Sequence, residues 1–128
     1  MEHLYKRRVQ FADTDAAGVV HFSRILCYAE EAEHDLLMSL DIPLLGDGGW
    51  PRVHLDCDYL APAQTGEMLD IAISRVATGR SSIEWKFSIS CEGRSVAKGS
   101  MKAVRVDKEG KPEEINDVWR AALNGTML

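Results

Sequence analysis

Apolar and polar residues alternate over residues 4–11, give way to a spacing of three and four, and then return to alternation for most of the remaining chain. That change of period is the main structural signal, because side chains repeat every second residue on a strand and about every 3.6 residues on a helix. Residues 4–11 read as a strand, and a loop follows through Gly18. From Ser23, a residue type that caps helices, the positions Ile25, Ala29, Ala32, Leu36 and Leu40 form one stripe flanked by Leu26 and Leu37. Glu30, Glu33 and His34 fall mostly outside it, so the pattern predicts an amphipathic helix over residues 23–40. Pro43 and the run Gly46-Asp47-Gly48-Gly49 end it.

Beyond Trp50 the period is two. Val53, Leu55, Cys57 and Tyr59 alternate with polar partners, "APAQTGE" turns the chain, Leu69, Ile71 and Ile73 alternate again, and Ile83, Trp85, Phe87, Ile89 and Cys91 do so most cleanly. Glu92-Gly93 has the composition of a hairpin tip. Residues 95–106 return as a further strand, on which Lys98, Lys102 and Arg105 imply partial exposure. A short helix begins after Asn116 and stops at Gly125. One strand, one long helix and four consecutive strands cannot make a βαβ series. The layout is therefore α+β: one domain over residues 1–128, an antiparallel sheet that buries its apolar face by curling around the long helix. The sheet's other face and its edges call for a second copy, which predicts a homo-oligomer, dimer or tetramer.

Composition narrows the function. With 45% apolar and 27% charged residues the chain is ordinary globular material. A net charge of −5 argues against a general nucleic-acid surface, which needs clustered cations, and only Lys6-Arg7-Arg8 is such a cluster. Cys27, Cys57 and Cys91 lie far apart with no C-x-x-C pair, a usage that fits reduced thiols and a cytoplasmic protein. No run approaches the roughly 20 apolar residues of a membrane span, and no leader-like segment opens the sequence.

The chemistry concentrates in "DTDAAG". Asp13, Asp15 and Gly18 occupy positions one, three and six of a calcium loop, but Ala17 and Arg24 stand where ligands belong at five and twelve, so calcium is not expected. Either aspartate could simply cap a turn or the helix start. Alternatively, one faces a cleft where the loop meets the helix N-terminus, whose free N–H groups could hold a developing oxyanion. "GRSVA" imitates a serine nucleophile elbow but lacks its second glycine and opens a strand. Phosphate-binding glycine loops and H-E-x-x-H are absent, and His21, His34 and His54 show no metal spacing; neither a metal nor a cofactor is expected.

"FADTDAAGVVHFSRILCYAEEA" resembles the F-x-D-x-D-x-x-G-x-V motif and following helix of the hotdog-fold acyl-CoA thioesterases of the 4-hydroxybenzoyl-CoA thioesterase type, and the resemblance continues through "YLAPAQTGE" and "RVATGRSSIEWKF" to about residue 106. It implies that Asp15 is the catalytic carboxylate, that Asp13 is structural, and that the thioester carbonyl lies over the first turn of the long helix, with the backbone N–H groups of Val20, His21 and Phe22 as oxyanion donors. Asp15 would either attack the carbonyl to give a mixed anhydride or activate a water; both need it ionised. His21, Phe22 and "RVHLDCDYLAPAQTGE" look more similar to the branch that hydrolyses 1,4-dihydroxy-2-naphthoyl-CoA in phylloquinone and menaquinone synthesis, where a histidine recurs at the place of His54. The resemblance thus implies an aromatic acyl pocket shaped by His21, Phe22 and His54, and coenzyme A phosphates held by Arg80, Ser81 and Ser82. Two rivals remain at this point: a hotdog dehydratase drawing on Glu30, Glu31 or His34, and a noncatalytic acyl-CoA-binding module.

Overall fold

The computed structural model describes residues 2–125. Strand β1 (His3–Arg8) leads through a 3-10 turn (Phe11–Asp13) to helix α1 (Phe22–Ser39). Then follow β2 (Gly48–Gly49), β3 (Arg52–Tyr59), β4 (Met68–Thr78), β5 (Ser82–Cys91), β6 (Arg94–Val104), β7 (Val106–Asp107) and α2 (Asp117–Gly125). Five strands form one antiparallel sheet in the order β1-β4-β5-β6-β3, while β2 and β7 pair separately.

The alternation explains the core. Ile71 and Ile73 on β4, Ile83, Trp85, Phe87 and Ile89 on β5, and Met101 and Ala103 on β6 all turn inward and meet Ile25, Tyr28, Ala29, Ala32, Leu36 and Leu37 of α1. Most of the stability of a helix in a protein comes from packing its apolar face, so these contacts are what stabilise α1. The outward positions of the same strands are Glu84, Lys86 and Ser88 on β5 and Lys98 and Lys102 on β6, a charged surface. The open edge strand β3 adds a second reason to expect a further copy.

The expected layout of a sheet around one long helix is present, with local differences. The first strand ends at Arg8, not residue 11, because the chain coils into the 3-10 turn. The helix is capped by His21 rather than Ser23: the imidazole Nδ1 accepts from the Ser23 N–H at 3.3 Å. Arg105 is buried, not partly exposed; its guanidinium stacks 4.7 Å from the Trp119 ring and 5.3 Å from Trp50, and its Nε donates to Glu113 at 3.0 Å. The hairpin tip at Glu92-Gly93 takes positive φ at both residues, 49° and 82°, the geometry that a two-residue turn between twisted strands needs. The Asn116 side chain accepts from the Trp119 N–H at 2.8 Å and so starts α2 where expected.

Glu33 is the largest departure, being fully buried on the core side of α1. Arg52 of β3 reaches it with Nη2 at 2.8 Å and Nη1 at 3.3 Å and also meets Glu30 at 2.9 Å. A β-bulge between Arg52 and His54 makes this possible, because it inserts Val53 and lets Arg52 share the inward face with Leu55 and Cys57.

Candidate active site

The two aspartates of the loop lie in opposite environments. Asp13 is 5% exposed, and its carboxylate accepts from the Tyr28 hydroxyl at 2.8 Å and the Gln10 N–H at 3.1 Å, with Arg7 at 3.3 Å. Burial alone would raise its pKa, but the Tyr28 and Gln10 hydrogen bonds and the Arg7 and Arg24 guanidiniums outweigh it and hold the carboxyl below its ordinary value. Arg7 is itself fixed by Glu31 at 2.9 Å and lies over the Tyr28 ring. Asp13 thus anchors the loop to β1 and α1.

Asp15 is exposed. Its Oδ1 accepts from the Ala17 N–H at 2.8 Å, an Asx turn, and its N–H donates to the Val19 carbonyl at 2.8 Å. Gly18 closes the turn at φ 81°, a conformation that disfavours any side chain. Oδ2 of Asp15 has no partner among the described residues, and the residue lines a cleft of about 560 Å³. That cleft runs between the N-terminus of α1 and the end of β3, with His21, Phe22 and Ile25 on one wall and Tyr59, Leu60 and Pro62 on the other. Its size and apolar lining suit a drug-sized aromatic group. Phe22 packs against His21 with ring centroids 4.5 Å apart and edge-on to Tyr59 at 6.4 Å.

The backbone donors differ from expectation. The Val20 N–H is spent on the Ala63 carbonyl at 2.8 Å, and the His21 N–H on the Asp13 carbonyl at 2.9 Å. Both are therefore withdrawn as oxyanion donors in this conformation. Ser23 N–H is taken by the cap, which leaves the Phe22 N–H as the donor without a protein partner among the described residues at this helix end. The Ala63 contact also ties the "APAQTGE" turn to the site: Glu67 accepts from the Gln64 N–H at 2.7 Å and is held by Arg94 at 2.7 Å.

Of the pocket residues inferred from sequence, Asp15, Val20, His21 and Phe22 come together and the others do not. His54 pairs in register with Lys102 on the outer face of the sheet and lies 3.4 Å from Asp56, whereas Leu55, Cys57 and Tyr59 face α1. The alternation that makes β3 a strand thus excludes His54 from the Asp15 cleft of the same chain. Arg80, Ser81 and Ser82 form the turn between β4 and β5, at the other end of those strands from Ala63; eleven residues of β4 at about 3.3 Å each separate the two ends. Carbonyls of that turn are gripped by Arg120, Ile115 and Arg105, and the Arg80 guanidinium has no partner among the described residues. Tyr59, Leu60 and Ile25 are cleft residues that the sequence reading missed, although the inward set of β3 already contained the first.

The acids proposed for a dehydratase are engaged: Glu30 by Arg52, and Glu31 by Arg7 and Tyr5, while His34 lies 3.7 Å from Glu33. Among the described residues no three His, Cys, Asp or Glu side chains gather closely enough to hold a metal ion, and no helix is long and apolar enough to cross a membrane.

Against known proteins, a family model described as the thioesterase superfamily matches residues 17–98. The chain is similar to the 1,4-dihydroxy-2-naphthoyl-CoA hydrolase of Synechococcus elongatus, 33% identical over 102 residues and 75% of each chain. It is similar also to that of Synechocystis, 30% identical over 127 residues, 93% of this chain and 92% of the relative. Two solved structures are alike in fold throughout. The 1,4-dihydroxy-2-naphthoyl-CoA thioesterase from Synechocystis superposes with a TM-score of 0.89 at 27% identity, covering 100% of this chain and 99% of the other. A gentisyl-coenzyme A thioesterase superposes at 0.87 and 28% identity, covering 94% and 98%.

Proposed function

The chain belongs to the thioesterase superfamily, and from that premise we propose that it hydrolyses an aromatic acyl-CoA, with 1,4-dihydroxy-2-naphthoyl-CoA as the favoured substrate. The observation that carries the reading is the pairing, on one cleft, of Asp15 and Phe22, whose Oδ2 and N–H have no partner among the described residues. The acyl group lies in the cleft against Phe22 and Tyr59, and its carbonyl oxygen receives the Phe22 N–H. Charge that develops on that oxygen is stabilised by this N–H and by the positive end of the α1 dipole. Asp15 either attacks the carbonyl carbon, forming a mixed anhydride as the coenzyme A thiolate leaves, or takes a proton from the attacking water. In both routes thioester and water become carboxylic acid and free thiol.

The reading extends to the assembly. Arg80, Ser81 and Ser82 suit phosphate oxygens, and a second copy, paired through the open edge of β3, is what would carry such a turn toward the cleft. Three unpaired thiols support a cytoplasmic location. Asp15→Asn tests the chemistry: it keeps the fold and melting temperature and lowers turnover of the naphthoyl thioester at least about a hundredfold. Near-normal hydrolysis by the folded variant would remove Asp15 from the mechanism.

A further inference from the structure

We propose that Tyr59 is the residue that selects a hydroxylated aromatic acyl group, its phenol oxygen accepting a hydrogen bond from a hydroxyl on the substrate ring. The proposal rests on the aryl-CoA hydrolase reading above and assigns its specificity. Tyr59 ends β3 on the inward face, lines the same cleft as Asp15, and stands edge-on to Phe22. Its side of the cleft is open, since the residue is 48% exposed.

Donor and acceptor accounting gives the selectivity its sign. A phenol has one O–H to donate and lone pairs to accept. The Tyr59 O–H is already donated to the Phe22 carbonyl at 3.1 Å, in the first turn of α1. The Cys57 thiol is a second hydrogen-bonding neighbour of the phenol, and the acceptor capacity left toward the cleft suits a partner that carries a donor: a ring hydroxyl rather than a carbonyl or an ether. Burial and the neighbouring Cys57 thiol push the phenol's ionisation upward, so it stays protonated and the bond to Phe22 is kept. The same bond fixes the residue whose N–H faces the thioester oxygen, which couples recognition of the ring to placement of the oxyanion donor. His54, on the outer face, cannot perform this task within the chain, and the Nδ1 of His21 is occupied with Ser23.

Tyr59→Phe keeps the ring and removes only the oxygen, at a half-exposed position where the fold tolerates it. Steady-state hydrolysis of 1,4-dihydroxy-2-naphthoyl-CoA and of 2-naphthoyl-CoA, which lacks the hydroxyls, is compared for wild type and variant. Loss of the Phe22 contact lowers kcat/KM for both substrates, and the expected result is a further fall of about 3- to 10-fold for the dihydroxy substrate beyond that on the plain naphthoyl thioester, the value of one neutral hydrogen bond. An equal fall on both would overturn the proposal, because Tyr59 would then act only by holding Phe22. No change on either would overturn it as well, by removing Tyr59 from the acyl site. If wild type cleaves neither thioester, the hydrolase reading itself fails and takes this assignment with it; cleavage by wild type upholds that reading whatever the variant does.

Discussion

Two carboxylates separated by one residue can do unlike things because their surroundings differ. Asp13 is buried among donors and cations, while Asp15 lines a cleft and has one oxygen without a partner among the described residues. The difference predicts different mutant phenotypes. Asp13→Asn removes a buried charge-assisted hydrogen bond and costs about 1.5 to 3 kcal/mol at neutral pH. It also changes the acid limb of stability. In the unfolded chain Asp13 takes its proton near the ordinary value of 3.8, and in the folded chain only at lower pH. The unfolded state therefore binds more protons in that window, and the stability Asp13 contributes, fully present above its ordinary value, is lost as pH falls through the folded one. Melting temperatures between about pH 5 and pH 2.5 should fall more steeply for wild type than for Asp13→Asn; parallel curves would mean that Asp13 is not held ionised by its neighbours. The spacing of the D-x-D pair was legible in the sequence, whereas the burial of Asp13 and the exposure of Asp15 were not, and a catalytic role for Asp15 remains a proposal. The partners that hold the buried carboxylate, Arg7 and Tyr28, lie 6 residues before and 15 residues after Asp13, and no local pattern announces them.

At the scale of elements, period decides what can be read. The inward residues of β4 and β5 follow from alternation alone, and the stripe of α1 is buried as its spacing requires. The failures occur where one residue breaks the period. The bulge at Val53 turns Arg52 inward to meet Glu33, so a charge pair occupies a place on α1 that an amphipathic reading assigns to solvent. His54 fails in the opposite way: resemblance put it in the pocket, while plain alternation puts it outside. The oxyanion donors show a third kind of failure, because a helix N-terminus read from sequence offers several free N–H groups, and tertiary contacts to Ala63 and Asp13 consume two of them. β3 itself carries a prediction. It is an eight-residue edge strand with Val53, Leu55 and Tyr59 exposed, whereas the other edge, β1, carries Lys6, Arg7 and Arg8. Sedimentation at micromolar concentration should give a mass of at least two 14.2 kDa chains, and a monomer of that mass would refute pairing through β3.

In the molecule as a whole, the sheet holds α1, α1 presents its N-terminus, and the loop anchored by Asp13 sets Asp15 beside it, so the candidate chemistry sits where the first loop, the helix start and the end of β3 converge. The turn at residues 80–82, proposed to hold coenzyme A phosphates, lies at the other end of β4 from the cleft, so in that proposal it serves the cleft of a second copy. The acyl group is the most direct probe of the cleft proposed to hold it. The deciding measurement is kcat/KM by free-thiol release over a panel of 1,4-dihydroxy-2-naphthoyl-CoA, benzoyl-CoA, butyryl-CoA and palmitoyl-CoA. The dihydroxynaphthoyl thioester should exceed both aliphatic ones by at least about tenfold, since Phe22 and Tyr59 offer stacking area and a hydrogen-bond acceptor that straight chains cannot use. Faster hydrolysis of butyryl-CoA or palmitoyl-CoA than of any aromatic thioester would contradict the account.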